Sequence, residues 1–503
     1  MEEISTLSSL LLQENPNNDI SITPLSQPLS YEFDILKKNE RGTIMPHKSS
    51  FLEKEPVLQL ISRLSLPAIV GMIAQALYNV VDAIFLGQGV GMLAIAGVSV
   101  AFPIQMIIIA TAQIIGVGGA SIISRSLGER NREKAERTLG NLIGASIISS
   151  SLLAILGNTY LIPILRLFGA TDAILPFAST YMRILFLGSI FFAFSIACNN
   201  TVRAEGNARF AMGTMLISAG INIVLDPIFI FTLKMGVKGA AIATIIAQAS
   251  SALWLAWYYF FRKSEVRFNL IHLRPYPSIL HEMVLIGFAA FVRQGAASLS
   301  LIVINRQLAL WGNDAAIAAA GILSRITQFA LMPIFGLVQG LLPIVGYNYG
   351  ARLFYRVTAT MKLTILISTI ICSIAATFMF WAPGMLLSPF TSHTDVLRIG
   401  IKASRFMSLG FPLIGFQVMA SGLFQAIGKA RPSLLLSMLR QVLLLVPLVL
   451  ILPLLRGLQG IWIAFPLSDI FAAIITLFLY IKEVKQLEYC YTNHNKTSCH
   501  KGE

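Results

Sequence analysis

Twelve separate runs of mostly apolar residues divide this chain, and each is about as long as the roughly 20 residues a helix needs to cross a bilayer. They lie near 64–86, 93–124, 137–158, 173–200, 208–232, 239–261, 280–310, 315–346, 360–382, 396–426, 432–454 and 459–481. Lipid offers no partner to a peptide N–H or C=O, so helices, which bond their own backbone, are the expected form. Composition agrees: 55% of the residues are hydrophobic and 12% charged, against about 25% charged in a soluble domain. The 38 Lys and Arg outnumber the 24 Asp and Glu, a surplus that on a soluble chain would suggest nucleic acid. Here 29 of the basic residues and only 12 of the acids fall within 56–481. The excess sits mainly in short gaps between apolar runs, so the expected partner is the bilayer, and nucleic acid is excluded.

The gaps alternate in charge. Arg125, Arg130, Arg132, Lys134 and Arg137 follow span two, Arg203 and Arg209 span four, and Arg262, Lys263, Arg267 and Arg274 span six. Arg352 and Arg356 follow span eight, Lys429 and Arg431 span ten. The odd-numbered gaps are poorer: none follows spans one or seven, Lys234 and Lys238 follow span five, and Arg456 follows span eleven. Basic loops stay in the cytoplasm, so both termini are expected there, in a bacterial inner membrane. Residues 1–55 hold 9 acids and 5 bases among scattered prolines. They read as a disordered tail rather than a signal peptide, and 483–503 as a second tail. Trp254, Trp257, Tyr258 and Tyr259 suit an interfacial aromatic belt. Cys198, Cys372, Cys490 and Cys499 show no CxxC spacing, and neither a disulfide framework nor a zinc site is expected. The sequon at Asn495 and the cluster of His494, Cys499 and His500 lie in the second tail and carry no assigned role.

The chain nearly repeats itself. Leu127-Gly128-Glu129-Arg130 matches Tyr349-Gly350-Ala351-Arg352, and Ala204-Glu205-Gly206-Asn207-Ala208-Arg209 matches Ala426-Ile427-Gly428-Lys429-Ala430-Arg431, both at an offset of 222. Gly236-Val237-Lys238-Gly239 matches Gly457-Leu458-Gln459-Gly460 at 221. An even number of spans separates the copies, so the repeat is parallel. It predicts two pseudo-symmetric six-helix lobes with a central cleft: an N-lobe over 56–265, a linker over 266–279 and a C-lobe over 280–482. Such lobes suit alternating access better than a pore.

Charges inside a span are costly and default to function. Asp82 in span one shares a helix face with Tyr78 and Gln75. Asp226 in span five precedes Pro227, which loosens the helix, and shares a face with Asn222 and Ser218. Thr244 and Gln248 form a polar pair in span six. Brought together, these groups would make an oxygen-rich site for Na⁺, or two close carboxyls holding a proton. The C-lobe spans instead carry Arg293, Arg306, Arg325 and Arg405, with Gln294, Gln328 and Gln417, and one deep acid, Asp469. A structural ion pair between Asp469 and an Arg is one reading of these charges. The other is a cleft lined by Arg293, Gln294, Arg325 and Gln417, with Gln75 and Gln248 opposite. No GxxxxGK[ST] or HExxH string is present, so neither ATP drive nor metalloprotease chemistry is expected. The chain reads as no enzyme and as needing no cofactor.

Residues 56–481 resemble the multidrug and toxic compound extrusion (MATE) family, in its bacterial MepA-like subgroup. The resemblance rests on Pro67 with Tyr78-Asn79-Val80-Val81-Asp82, Ala94-Ile95-Ala96-Gly97, Arg203-Ala204-Glu205-Gly206, and Asn222 through Asp226-Pro227. It rests also on the string Gly340-Leu341-Leu342-Pro343-Ile344-Val345-Gly346-Tyr347-Asn348-Tyr349-Gly350, and on Gln425-Ala426-Ile427-Gly428. The resemblance implies a monomeric secondary antiporter that exports cationic or amphipathic drugs in exchange for Na⁺ or H⁺. It implies a cation site at Asp82, Asn222, Asp226 and Thr244, with Tyr78 beside it. Members that bind the cation in the C-lobe use acids on helices seven and ten. This chain has Arg293, Gln294 and Gln417 there, which counts against C-lobe coupling. A flippase for lipids or lipid-linked oligosaccharides is the alternative, favoured by the basic C-lobe and opposed by the N-lobe acid pair. A channel and a non-transporting scaffold rank below it.

Overall fold

The computed structural model describes residues 48–261 and 264–492. Twelve helices in it are long and apolar enough to cross a membrane. They are α1 (Val57–Gly89), α2 (Met92–Gly128), α3 (Arg132–Thr159), α4 (Leu175–Ala204) and α5 (Ala208–Pro227, continued by a π-helical turn Ile228–Thr232). Next come α6 (Val237–Phe260), α7 (Pro277–Trp311), α8 (Asp314–Gly350), α9 (Phe354–Trp381) and α10 (Thr394–Ala426). The last two are α11 (Ala430–Arg456, π-helical over Leu439–Leu445) and α12 (Leu458–Thr492). They form two lobes, α1–α6 and α7–α12. Each apolar run is thus one helix, longer at its ends than hydropathy alone suggested, because caps rather than apolarity stop a helix. Asn131, Asn207 and Asn313 accept from the backbone N–H of Lys134, Phe210 and Ala316 and begin α3, α5 and α8.

The repeat is written into the backbone. Left-handed residues stand at Arg130 and Arg352 (φ 59° and 60°), Gly206 and Gly428 (85° and 82°), and Gly236 and Gly457 (both 55°). Each pair falls within the matched sequence segments. A left-handed residue ends a helix by turning the chain away from its axis, so both halves stop and restart their helices in the same way.

The core is divided. One apolar cluster joins both lobes at the end where α1 and α7 begin, and includes Leu60, Leu64, Ile122, Met283, Ile286, Leu341 and Leu423. At the other end each lobe has its own cluster: Leu86, Ile104, Tyr181 and Ile230 in the first, Leu308, Leu323, Leu445 and Trp462 in the second. The cleft between the lobes is therefore closed at one end and open at the other.

Three expectations need correction. Residues 48–54, assigned to the first tail, form a 3-10 turn and a short helix, Phe51–Lys54. Leu52 is fully buried there. Arg356 and Asn348 donate to Leu52 O, and Arg356 also to Glu55 O, which satisfies carbonyls that a helix end leaves without donors. At the other terminus α12 runs ten residues beyond the expected edge of the lobe. Glu483 is buried there and accepts from Lys429 Nζ at 2.7 Å. The proposed aromatic belt is only half a belt. Tyr258 and Tyr259 are buried, and Trp254 stacks on Phe210 with ring centres 5.2 Å apart. The basic residues Arg262 and Lys263, the sequon at Asn495, the His494/Cys499/His500 cluster and the tail before residue 48 lie outside the described residues.

Candidate functional site

Asp82 lies two turns before the end of α1, and Asp226 is the last residue before Pro227 and the π-helical turn of α5. A π turn widens the helix and lifts backbone bonds out of register, which is why such turns recur at functional positions. Asp226 and Asn222 are fully buried. Asn222 Nδ2 donates to Asp226 Oδ1 at 3.2 Å, as their one-turn spacing requires. α1 packs along α5, and this brings the Asp82 and Asp226 carboxyls within reach of each other.

Three buried acceptor oxygens there have no donor: Asp82 Oδ1, Asn222 Oδ1 and Asp226 Oδ2. Unpaired buried oxygens cost about 1–3 kcal/mol each, and more when charged, so the arrangement calls for a cation or a proton among them. No described Lys or Arg supplies the charge. Tyr78 stands beside Asp82 on α1, with Gln75 against it. Tyr181 of α4 is buried close to Asp82, Asp226 and Tyr78, with Gln105 against it. Sequence reasoning passed over Tyr181, because an aromatic residue in an apolar run carries no polar signal by itself.

The other named residues divide. On α6, Thr244 donates its hydroxyl to Ala240 O of its own helix, leaving only its lone pairs for a ligand. Gln248 takes part through its backbone carbonyl, which accepts from Ser195. In the C-lobe, Arg293 and Arg325 are exposed and have no acidic partner among the described residues. Gln294 Nε2 reaches across to Met106 Sδ of α2 at 3.1 Å. Gln417 does not line an open cleft: it is buried, and its Nε2 donates to Asp469 O of α12 at 2.8 Å. Asp469 does pair with an arginine, but with none of the four singled out; its partner is Arg440 of α11, at 2.5 Å. No cluster of three or more His, Cys, Asp or Glu suited to a metal occurs among the described residues.

A further buried acid, Glu205, lies in the turn after α4. Its carboxylate accepts from Tyr258 OH at 2.8 Å, from Ser264 Oγ at 2.8 Å and from Glu265 N at 3.1 Å. Burial pushes its carboxyl up to about 7, although the three donors pull the other way.

Two lobes of six apolar helices around a cleft, with buried carboxyls between two helices of one lobe, define a polytopic membrane transporter. The family model MatE matches residues 67–228 and again 290–451, a spacing of 223 that follows the internal repeat. The chain therefore belongs to the MATE family of multidrug efflux transporters. The multidrug export protein MepA of Staphylococcus haemolyticus (strain JCSC1435) is 27% identical over 429 residues, 85% of this chain and 94% of that protein. The outward-facing structure of a multidrug resistance MATE family transporter of the MOP superfamily superposes with a TM-score of 0.83 at 30% identity, covering 88% of this chain and 99% of that one. The MATE multidrug transporter DinF-BH superposes with a TM-score of 0.79 at 43% identity, covering 86% of this chain and 96% of that one.

Proposed function

We propose that this protein is a monomeric secondary antiporter of a bacterial inner membrane. It exports cationic or amphipathic organic compounds by alternating access, in exchange for Na⁺ or H⁺. The observation that carries the reading is the trio of donorless buried oxygens on Asp82, Asn222 and Asp226. A cation bound there neutralises the carboxyls and holds α1 against α5, and its release leaves like charges that drive the helices apart. Ion and substrate then compete through the lobe arrangement each favours. The relatives named for multidrug export support the substrate class. With the basic loops in the cytoplasm, both termini face inward and the cleft opens outward.

The test is efflux of a fluorescent lipophilic cation from liposomes holding purified protein, under a Na⁺ gradient or a pH gradient. Wild type should drive efflux under one of them, naming the ion. Asp226→Asn and Asp82→Asn should each abolish gradient-driven efflux, a loss of tenfold or more, with the fold intact. Efflux unchanged in Asp226→Asn would sink the coupling assignment.

One observation favours a second reading. Arg293 and Arg325 are exposed cations without described acidic partners, which suits the head group of an anionic lipid and hence a flippase. Lipid scrambling or flipping by wild type, with no lipophilic-cation efflux, would select it.

A further inference from the structure

The two lobes treat a buried carboxylate differently. Their repeat extends to a hydrogen bond: Ser195 Oγ of α4 donates to Gln248 O of α6 at 3.3 Å, and Gln417 Nε2 of α10 donates to Asp469 O of α12 at 2.8 Å. Both donor and acceptor positions are related by the repeat offset of 222 or 221. Asp469 thus stands where the N-lobe has neutral Gln248, and Arg440, by the same offset, where it has Ser218. Conversely, at the spacing of the two MatE matches the positions equivalent to Asp82 and Asp226 hold the uncharged Asn305 and Val449.

The C-lobe acid is built to be satisfied. Asp469 is 1% exposed, and Gly410 of α10 leaves room for it, since a Cβ there would come within 2.4 Å of Asp469 Oδ2. Arg440 Nε donates to Asp469 Oδ1 at 2.5 Å from within the π-helical segment of α11. Neither Asp469 oxygen is among the donorless buried atoms, whereas Asp82 and Asp226 contribute one each. The Arg440 side chain remains 24% exposed, so protein does not close its place off completely.

We propose that Arg440 is a tethered cation filling a second, C-lobe cation site formed by Asp469, and that its removal would open this site to Na⁺. Arg440 would thereby fix how many ions the transporter carries. Deleting one member of a buried pair leaves an uncompensated charge, and here the vacated space is not fully enclosed by protein. The proposal shares with the functional reading only the premise that a buried carboxylate in this fold takes a monovalent cation.

The experiment is equilibrium ²²Na⁺ binding at pH 8 to the purified full-length chain, comparing wild type, Arg440→Ser, Arg440→Ser with Asp226→Asn, and Arg440→Ser with Asp469→Asn. Arg440→Ser should bind about one Na⁺ more per chain than wild type, as linkage to an added site requires. The added ion should persist with Asp226→Asn and vanish with Asp469→Asn. Because the Asp226→Asn background reads the C-lobe alone, failure of the N-lobe assignment would not disturb this result. Folded Arg440→Ser that takes up a proton but no added Na⁺ would overturn the proposal and leave a structural ion pair. So would an Arg440→Ser chain that folds in neither Na⁺-rich nor Na⁺-free buffer while an R440L/D469L double variant folds.

Discussion

At the residue scale, the decisive quantity is the cost of burying a charge. Glu205 shows this outside the membrane-spanning helices, where burial raises its carboxyl from the usual 4.5 to about 7. The folded chain therefore holds the Glu205 proton more tightly than the unfolded chain does. Between about pH 4.5 and 7 the native state binds more protons, so stability falls as pH rises through that window and levels off above it. A shift of this size corresponds to something on the order of 3 kcal/mol. Glu205→Gln should flatten the decline while keeping an oxygen for Tyr258 and Ser264. Thermal unfolding in detergent from pH 4 to 8 checks this: the wild-type curve should drop relative to the variant, and parallel curves would refute it. Asp82 and Asp226 were legible in the sequence because a carboxylate in an apolar run stands out against its neighbours. Glu205 and Arg440 were harder to assign. Glu205 sits in a loop, where an acid is ordinary, and Arg440 is one of several arginines in C-lobe spans, distinguishable only once α11 and α12 are packed.

At the element scale, the lobes meet where α2 crosses α7, and the crossing depends on missing side chains. A Cβ on Gly118 would lie 1.9 Å from Met283 O, and one on Gly287 would lie 1.8 Å from Ile114 O. Both obstacles are backbone atoms, which cannot rotate aside. Gly287→Ala should therefore cost several kcal/mol of the closed arrangement, of the order expected for overpacking or more. In the liposome assay it should cut transport at least tenfold, although the protein still inserts in the membrane. Near-normal efflux would show that the helices can cross farther apart. Helix number and order were legible because apolar run length maps directly onto bilayer thickness. The helix–helix crossing was not, since it depends on which glycines face which carbonyls across a contact far apart in sequence. The two ends misread as tails failed for a related reason. Leu52 and Glu483 look unremarkable until Arg356 and Lys429 come from other elements to meet them.

At the scale of the whole molecule, the closed end of the cleft is fastened by polar contacts as well as by the shared core. Arg125 of α2 donates to Glu282 of α7 at 2.8 Å, and Lys134 of α3 lies 3.8 Å from the same carboxylate. One turn back on α2, Ser121 Oγ donates to Gln425 O at the end of α10, at 2.7 Å. The Arg125 guanidinium also packs against Gly428, where a Cβ would come within 2.6 Å. Away from this end, the bond from Gln294 Nε2 of α7 to Met106 Sδ of α2, at 3.1 Å, joins the lobes near the middle of α7. The alternating access proposed above requires this fastening to release, so it must be worth little enough to break in each cycle. A partly exposed ion pair contributes about 1 kcal/mol, which sets about a fivefold bias between closed and open arrangements. Glu282→Gln should remove that bias. Ala204 is buried beside the small inter-lobe cavity lined by Arg203, Ser124 and Gln339, so a cysteine at 204 reports on opening. In a background freed of Cys198, Cys372, Cys490 and Cys499, A204C should react with a thiol reagent about five times faster when Glu282→Gln is added. Raising the salt should narrow that ratio, because screening weakens the wild-type pair as well. An unchanged rate at low salt would mean that apolar packing alone holds this end shut, and that the charges are bystanders to the transport cycle.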